Sequence, residues 1–313
     1  MPVFFQLLKR EAIEHRNGMI LTPLIVAALI ALTMLFGSIT GSQMIDIELS
    51  PSDRAEIMEE LQEELDEENV QVETALGIGL FTLSVPLLGI SLIVSLFMLL
   101  GSLYDERSER SILFWKSMPV SDTATVLSKL VTGALLIPFA AAIVSFGVQL
   151  FALLVGSIFG SVNNLPIGFG VWTMAPIFKV WWTITMLIFF GGLWAAPFLS
   201  WLLLASSWAP RTPFLVAFVP IAAVSLLEAL FNKTSWFITS VADRFSGAGL
   251  LERLGERLEA FEEYGERGLD GSDLFISFGD IGAILAMPGL WIGLIIAAGF
   301  TAGAIHIRRT KTL

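Results

Sequence analysis

Hydrophobic and polar positions alternate along this chain in blocks rather than in single residues. Six apolar stretches are each long enough to form a helix across a hydrocarbon core of about 30 Å, which takes about 20 residues. They run Met19–Ile39, Thr74–Leu103, Val126–Phe159, Val180–Ser206, Phe214–Phe231 and Ile281–Ile305. The third is longer than a bilayer requires and carries Pro138, which predicts a kink or an extension beyond the membrane. The first is not read as a cleaved signal peptide. Its apolar run exceeds a signal core, and no small-residue cleavage site follows it.

Composition strengthens this reading. Of 313 residues 55% are hydrophobic, with a mean hydropathy of +0.77. Charged residues are only 15%, against about 25% in soluble domains. The fold class expected is therefore an all-α integral membrane protein, residues 1–313 forming one six-helix unit. There are no cysteines, which excludes disulfides and thiolate metal sites. The two histidines, His15 and His306, lie near opposite chain ends beside basic residues, so a histidine metal site within the membrane is not expected.

The net charge of -11 matters less than where the charges fall. Lysine and arginine cluster before the first span (Lys9, Arg10, Arg16), after the second (Arg107, Arg110, Lys116, Lys129), after the fourth (Arg211) and at the end (Arg308, Arg309, Lys311). With six spans, all four segments lie on one side. The positive-inside rule makes that side cytoplasmic. The expectation is a multi-pass protein of the cytoplasmic (inner) membrane with both termini inside. The opposite side is acidic: residues 40–73 hold twelve carboxylates, from Asp46 to Glu73, against Arg54 alone.

Three segments outside the spans have patterns of their own. In residues 2–16, Phe4, Phe5, Leu7, Leu8, Ala12 and Ile13 form an apolar stripe beside Lys9, Arg10 and Arg16. This suits a helix lying in the interface, or a basic flank that only sets orientation. In the acidic segment, Ser50, Pro51 and Asp53 form a helix-start signature, and Ile57, Leu61 and Leu65 repeat every four residues. In residues 232–275, Leu251, Leu254, Leu258 and Phe261 follow helical spacing between Gly247, Gly249, Gly268 and Gly271, predicting a small external helical cap or gate.

The most specific stretch is residues 104–122, between the second and third spans. Alternating charges (Glu106, Arg107, Glu109, Arg110) lead into Ile112, Leu113, Phe114, Trp115 and Met118, and then Pro119 and Val120. Proline disfavours helix in the preceding residue, so a helix should end near Met118, and Ser121 or Asp122 can cap the next. Aromatics exposed between charges mark a protein contact or a helix lying flat on lipid, and composition alone does not choose.

The run Glu109-Arg110-Ser111-Ile112-Leu113, then Met118-Pro119-Val120-Ser121, then Lys129, resembles the loop after the second span in the ABC type-2 permease family. The resemblance covers most of the chain in layout and about twenty residues in motif. Ser111 stands where the family often has glycine, and Asp122 where a basic residue is frequent. The resemblance implies a coupling helix that docks on an ATP-binding subunit through Glu106, Arg107, Glu109, Arg110, Ile112, Leu113, Phe114, Trp115, Met118, Pro119 and Val120. It further implies an exporter permease paired with a second permease copy, identical or related. No Gly-x-x-x-x-Gly-Lys-Ser/Thr loop occurs in the sequence, so ATP and Mg would belong to the partner ATPase and this chain would be a non-catalytic subunit without a cofactor. Besides the ATPase and the second permease, the lipid bilayer is an expected partner and nucleic acid is not.

Charges at span boundaries are candidates for a transport path. Lys179, Glu228 and Asp280 are the three, each placed where it could also reach interfacial water. No ionisable residue is expected mid-membrane. Six tryptophans (Trp172, Trp181, Trp182, Trp194, Trp201, Trp208) give the spans an apolar, aromatic character that favours a lipid-like or hydrophobic peptide substrate. The competing function is a permease-like module that passes ATPase-driven motion to an envelope partner without moving a small substrate.

Overall fold

The computed structural model describes residues 2–48, 69–112, 120–163, 168–247, 249–264 and 275–310. Among these there are helices and no strands. In chain order the helices are α1 (Pro2–Glu14), α2 (Thr22–Glu48), α3 (Asn69–Ser108), α4 (Asp122–Val131), α5 (Ile137–Val162), the short α6 (Val171–Met174), α7 (Ile177–Trp208), α8 (Pro213–Phe231), α9 (Trp236–Asp243), α10 (Leu250–Tyr264), α11 (Phe278–Ala286) and α12 (Pro288–Thr310). Among the described residues, six helical segments are long and apolar enough to cross a membrane: Asn17–Gly41, Val72–Ser108, Asp122–Val162, Ile177–Trp208, Pro213–Phe231 and Pro288–Thr310. The chain is thus a multi-pass membrane protein in architecture.

Two of these spans contain a π-helical turn, and in both a proline follows directly. Asn17–Leu21 precedes Pro23, and Thr132–Leu136 precedes Pro138. Proline has no N–H to donate and its ring crowds the carbonyl four residues back. A wider turn absorbs that crowding without breaking the helix. The long third span is therefore α4 and α5 joined continuously through a π turn.

The sixth span differs from its predicted bounds. Ile281–Ile305 is two helices, because Met287 is forced to extended backbone (ψ 120°) by the following Pro288. Only α12 spans, while α11 is a separate helix before it. The second span also runs further than its predicted end at Leu103, reaching Ser108.

α7 is the central helix and packs against α3, α8 and α12. The largest core cluster lies among these helices near the basic end, with Leu99, Leu103, Leu202, Leu203 and Ala304 fully enclosed. Three indoles on α7 clamp other segments to it. Trp182 Nε1 donates to the Ile276 carbonyl (3.1 Å), Trp194 to Asp243 (2.9 Å) and Trp201 to Ala217 (3.0 Å). In an apolar medium each such bond satisfies a donor that water would otherwise serve. α3 and α5 are joined by a buried polar seam. Ser145 Oγ meets Ser84 Oγ at 2.6 Å, and Gln149 Nε2 donates to Ser84 Oγ (2.8 Å) and the Leu80 carbonyl (3.1 Å).

The predicted external cap is partly internal. α9 starts after α8 and packs against it, and the turn after it meets Trp194 and Phe198 on α7. Trp194 is about 21 Å from the C-terminal end of α7, at 1.5 Å per residue, near the middle of that helix. Residues 236–247 are thus a re-entrant helix and turn, and α10 leads back out. The helix predicted around Leu251 and Leu254 is α10. The acidic helix predicted around Ile57, Leu61 and Leu65 lies outside the described residues.

Candidate functional site

Charged side chains from four helices meet where α1, the last turn of α3, α4 and the last turns of α12 converge. Lys129 on α4 is the hub and is 1% exposed. Its Nζ lies 3.2 and 3.3 Å from the two carboxylate oxygens of Glu11 on α1 and 3.1 Å from Glu106 Oε1 on α3. Arg308 on α12 closes the ring, donating from Nη1 to Glu106 Oε2 and from Nε to Asp122 Oδ1 at 2.9 Å. Arg10 Nη2 approaches Glu106 at 3.7 Å and Glu14 at 3.1 Å. Glu11, Glu106 and Arg308 are each under 5% exposed. Glu11, Glu106, Asp122 and the more exposed Glu14 thus face Lys129, Arg308 and Arg10, so that every buried charge is opposed by one of the other sign. That balance is what allows so many charges to be buried together.

The sequence carried a faint signal for this cluster. Glu11 follows Leu7 by one helical turn on the buried side of α1, and Lys129 sits among Val126 and Leu130 on α4. A single charge within an apolar helix face needs a partner. Glu11 was not singled out in the sequence, and Lys129 was taken as an orientation signal and as the end of the loop motif, because Glu11 and Lys129 stand 118 residues apart.

The loop predicted to dock an ATPase begins at this ring. α3 ends at Ser108. The Glu109 amide then donates to the Asp105 carbonyl at 2.9 Å, and the Arg110 amide to the Arg107 carbonyl at 3.1 Å. Arg110 takes φ +57°, the left-handed conformation that closes a helix C-terminus and usually falls to glycine. α3 is therefore closed before Arg110, residues 111–112 are helical again, and the helix end predicted near Met118 lies outside the described residues. At the other end Ser121 is the N-cap of α4, its Oγ accepting from the Ala124 amide at 3.2 Å.

The predicted docking residues separate into two groups. Glu109 and Arg110 are exposed. Glu106 and Ile112 are not, since Glu106 is held by Lys129 and Arg308 and Ile112 is 1% exposed. These two are corrected from a free docking face to the root of the loop. Arg107 likewise turns inward, donating from Nη2 to the carbonyls of Ser206 (2.8 Å) and Ala209 (3.0 Å) at the end of α7. Val120 is half-buried just before the cap. Leu113, Phe114, Trp115, Met118 and Pro119 lie outside the described residues.

The three transport-path candidates do not converge. Lys179 pairs with Glu73 at 2.8 Å, both half-exposed, joining the starts of α7 and α3. Glu228 accepts from the amides of Trp236 (2.9 Å) and Phe237 (2.8 Å) and from Thr234 Oγ1 (2.6 Å), so it caps the N-terminus of α9. Asp280 forms a capping box with Ser277 and accepts from Arg257 Nη2 at 2.7 Å. Burial acts to raise the Asp280 pKa. The hydrogen bonds from the Ser277 amide and hydroxyl and from Arg257 outweigh it, and the pKa is lowered. Each carboxylate is thus committed to holding a local helix start.

One further charged group, outside the six spans, lies level with the middle of α7. Arg244, in the turn after α9, lies with its guanidinium carbon 4.6 Å from the Trp194 ring centre and donates to the Gly289 carbonyl at 3.2 Å. Comparison with known proteins finds no matching family model, no matching curated protein and no matching solved structure.

Proposed function

We propose that this chain is the membrane-spanning permease subunit of an ATP-driven ABC-type exporter, coupling ATP hydrolysis on a separate subunit to substrate movement. The observation that carries the reading is the construction of the loop after the second span. Its exposed charges, Glu109 and Arg110, stand directly beyond a buried ring of ion pairs that joins α1, α3, α4 and α12. A lever transmits force only if its root is stiff. Here a push on the loop is passed to three spans and to α1 together, since removing any one charge from the ring is costly. On this reading the basic end of the bundle is cytoplasmic, both termini lie on that side, and α1 rests in the interface. A second permease copy completes the path, and ATP and Mg are held by the ATPase.

The test is reconstitution of the chain in vesicles with the ATP-binding protein that it captures. E109K, R110E and W115A should leave ATP hydrolysis running while substrate movement falls. Wild-type coupling in all three, or labelling of Trp115 from outside the cell, refutes the assignment. Hydrolysis that drives no flux but changes the accessibility of the outer helices would favour the module that acts on an envelope partner.

A further inference from the structure

A cavity of about 230 Å³ lies between α3, α7, the π turn before α5, and the re-entrant turn. Leu103 and Tyr104 donate their amides to Ser206 Oγ, which sets α3 beside α7 in the same direction. With that offset Trp194 stands level with Ser91. The α3 wall of the cavity runs from Phe81 to Leu96, about 22 Å at 1.5 Å per residue. That exceeds the depth of one leaflet, half of about 30 Å. Nearly all of its surface is apolar, and it opens sideways where Val85, Gly89 and Leu92 are exposed on α3.

Three polar side chains break that apolar lining, of which Ser91 is bonded within its own helix, to the Leu88 carbonyl at 2.7 Å. Arg244 is its one charged residue and has no ion-pair partner among the described residues. Ser95, 1% exposed, has a hydroxyl with no hydrogen-bond partner among the described residues. An arginine at bilayer depth is costly unless something answers its charge, and such residues mark functional sites. A guanidinium presents a fork of donors suited to phosphate or carboxylate. The buried Ser95 hydroxyl, one turn along α3 from the level of Trp194, offers a second donor.

We propose that this cavity binds an amphiphile with one acyl chain and an anionic headgroup, which enters sideways from the bilayer. Arg244 receives the headgroup, Ser95 donates to an oxygen near the head of the chain, and the acyl chain lies along α3 past Gly89. The site is complete within one copy of the chain and does not depend on the exporter reading.

Gly89 gives a clean probe, because it lines the cavity at its open side and a Cβ there meets nothing within 4 Å, so a larger side chain can be added at the mouth. The experiment is native mass spectrometry of the full chain released from nanodiscs. It is titrated with palmitoyl lysophosphatidylglycerol and, separately, with monopalmitoylglycerol, which has the same chain and no charge. The wild type should prefer the anionic lipid by about tenfold or more, the worth of one charge-assisted contact. Gly89→Leu should lose both ligands. Arg244→Gln should keep both and lose the preference, and Arg244→Lys should keep part of it. Glycerol phosphate, which has the head without the chain, should not displace the bound lipid. Unchanged lipid binding in Gly89→Leu, or an unchanged preference in Arg244→Gln, overturns the proposal. If Arg244→Gln does not fold, the wild-type preference decides the charge and Gly89→Leu decides the place. Displacement by glycerol phosphate would show an anion site alone and also overturn the proposal.

Discussion

Replacing Lys129 by methionine removes the hub of the buried ring and keeps much of its apolar stem. Glu11 loses a cation held at 3.2 Å, and Glu106 loses one of its two close cations. Removing one partner from a buried pair costs about 3–5 kcal/mol, most of it from the carboxylate left behind. Here two carboxylates are left, so the upper part of that range applies. α1 should respond first. It is held mainly through its contact with α4, where Leu7 and Glu11 are its buried side chains. A loss of about 4 kcal/mol in local stability corresponds to roughly 1000-fold faster amide exchange across α1, while the amides of α7 change little.

A double-mutant cycle separates the ion pair from simple packing. Glu11→Gln alone leaves Lys129 paired with Glu106, so its cost should be smaller. The Glu11→Gln/Lys129→Met double variant has no unpaired Glu11 and should recover at least about 1 kcal/mol relative to the sum of the singles. The assay is hydrogen exchange of the detergent-solubilised chain, read peptide by peptide. Additive costs, within about 0.5 kcal/mol, would mean that the two groups act independently and would refute the ring as a unit. Equal exchange in α1 of wild type and Lys129→Met would refute its role as the anchor of α1.

Three further outcomes follow from local geometry. Arg110→Gly should stabilise the end of α3 by about 1 kcal/mol, because the left-handed conformation at φ +57° costs a residue with Cβ about 1–2 kcal/mol; thermal unfolding measures the gain, and the same variant should couple poorly if Arg110 docks an ATPase. Gly192→Ala should destabilise by about 1–3 kcal/mol, since the new Cβ would stand 3.0 Å from the Ala134 carbonyl oxygen and 3.2 Å from Leu135; unchanged thermal unfolding would show that α7 and the π turn can part freely. The lowered pKa of Asp280 means that its contribution to stability is fully present above the unfolded value of about 3.9 and is lost as pH falls through the lower folded value. Amide exchange at the start of α11, corrected for its intrinsic pH dependence, should therefore rise only in that acid range, and Asp280→Asn should exchange faster already at neutral pH.

What could be read from the sequence was whatever a segment encodes by itself. A run of twenty apolar residues needs no partner to declare a span, and six were found, although Pro288 shows how a break within the last run moves its start. Ser121 declares a cap because its hydroxyl reaches an amide three residues on. The re-entrant segment was hidden for the opposite reason. Trp236–Asp243 is eight residues, far too short to register as a span, and its depth is set by Trp194, more than forty positions earlier. Its apolar face did leave a trace, since Trp236, Phe237, Ile238 and Val241 are out of place in a segment otherwise read as external. Glu228 looked like a boundary charge because nothing local shows that its oxygens meet the first amides of the next helix.

Helix geometry also makes clear why the loop predicted to dock an ATPase was only half legible. Alternating charges before an aromatic run look uniformly exposed in one dimension, yet a helix separates them by 100° per residue. Four residues from Glu106 to Glu109 therefore cover a full turn. Glu106 and Arg107 fall on the sides facing Lys129 and α7, while Glu109 falls outward. Had α3 ended at Leu103, none of these residues would be fixed in orientation. Because the helix runs on to Ser108, the rotation of α3 and the direction of the loop are one variable. Any tilt or twist imposed on the loop must then either turn α3 as a body or break the Glu106 contacts with Lys129 and Arg308. Lys129→Met lowers the second cost and leaves the first unchanged. Under the exporter reading, that variant should keep ATPase binding, through the outward Glu109 and Arg110, and lose transmission to the spans. A spin label on α12 would then report reduced movement on nucleotide binding, whereas movement equal to wild type would show that force reaches the spans by another route.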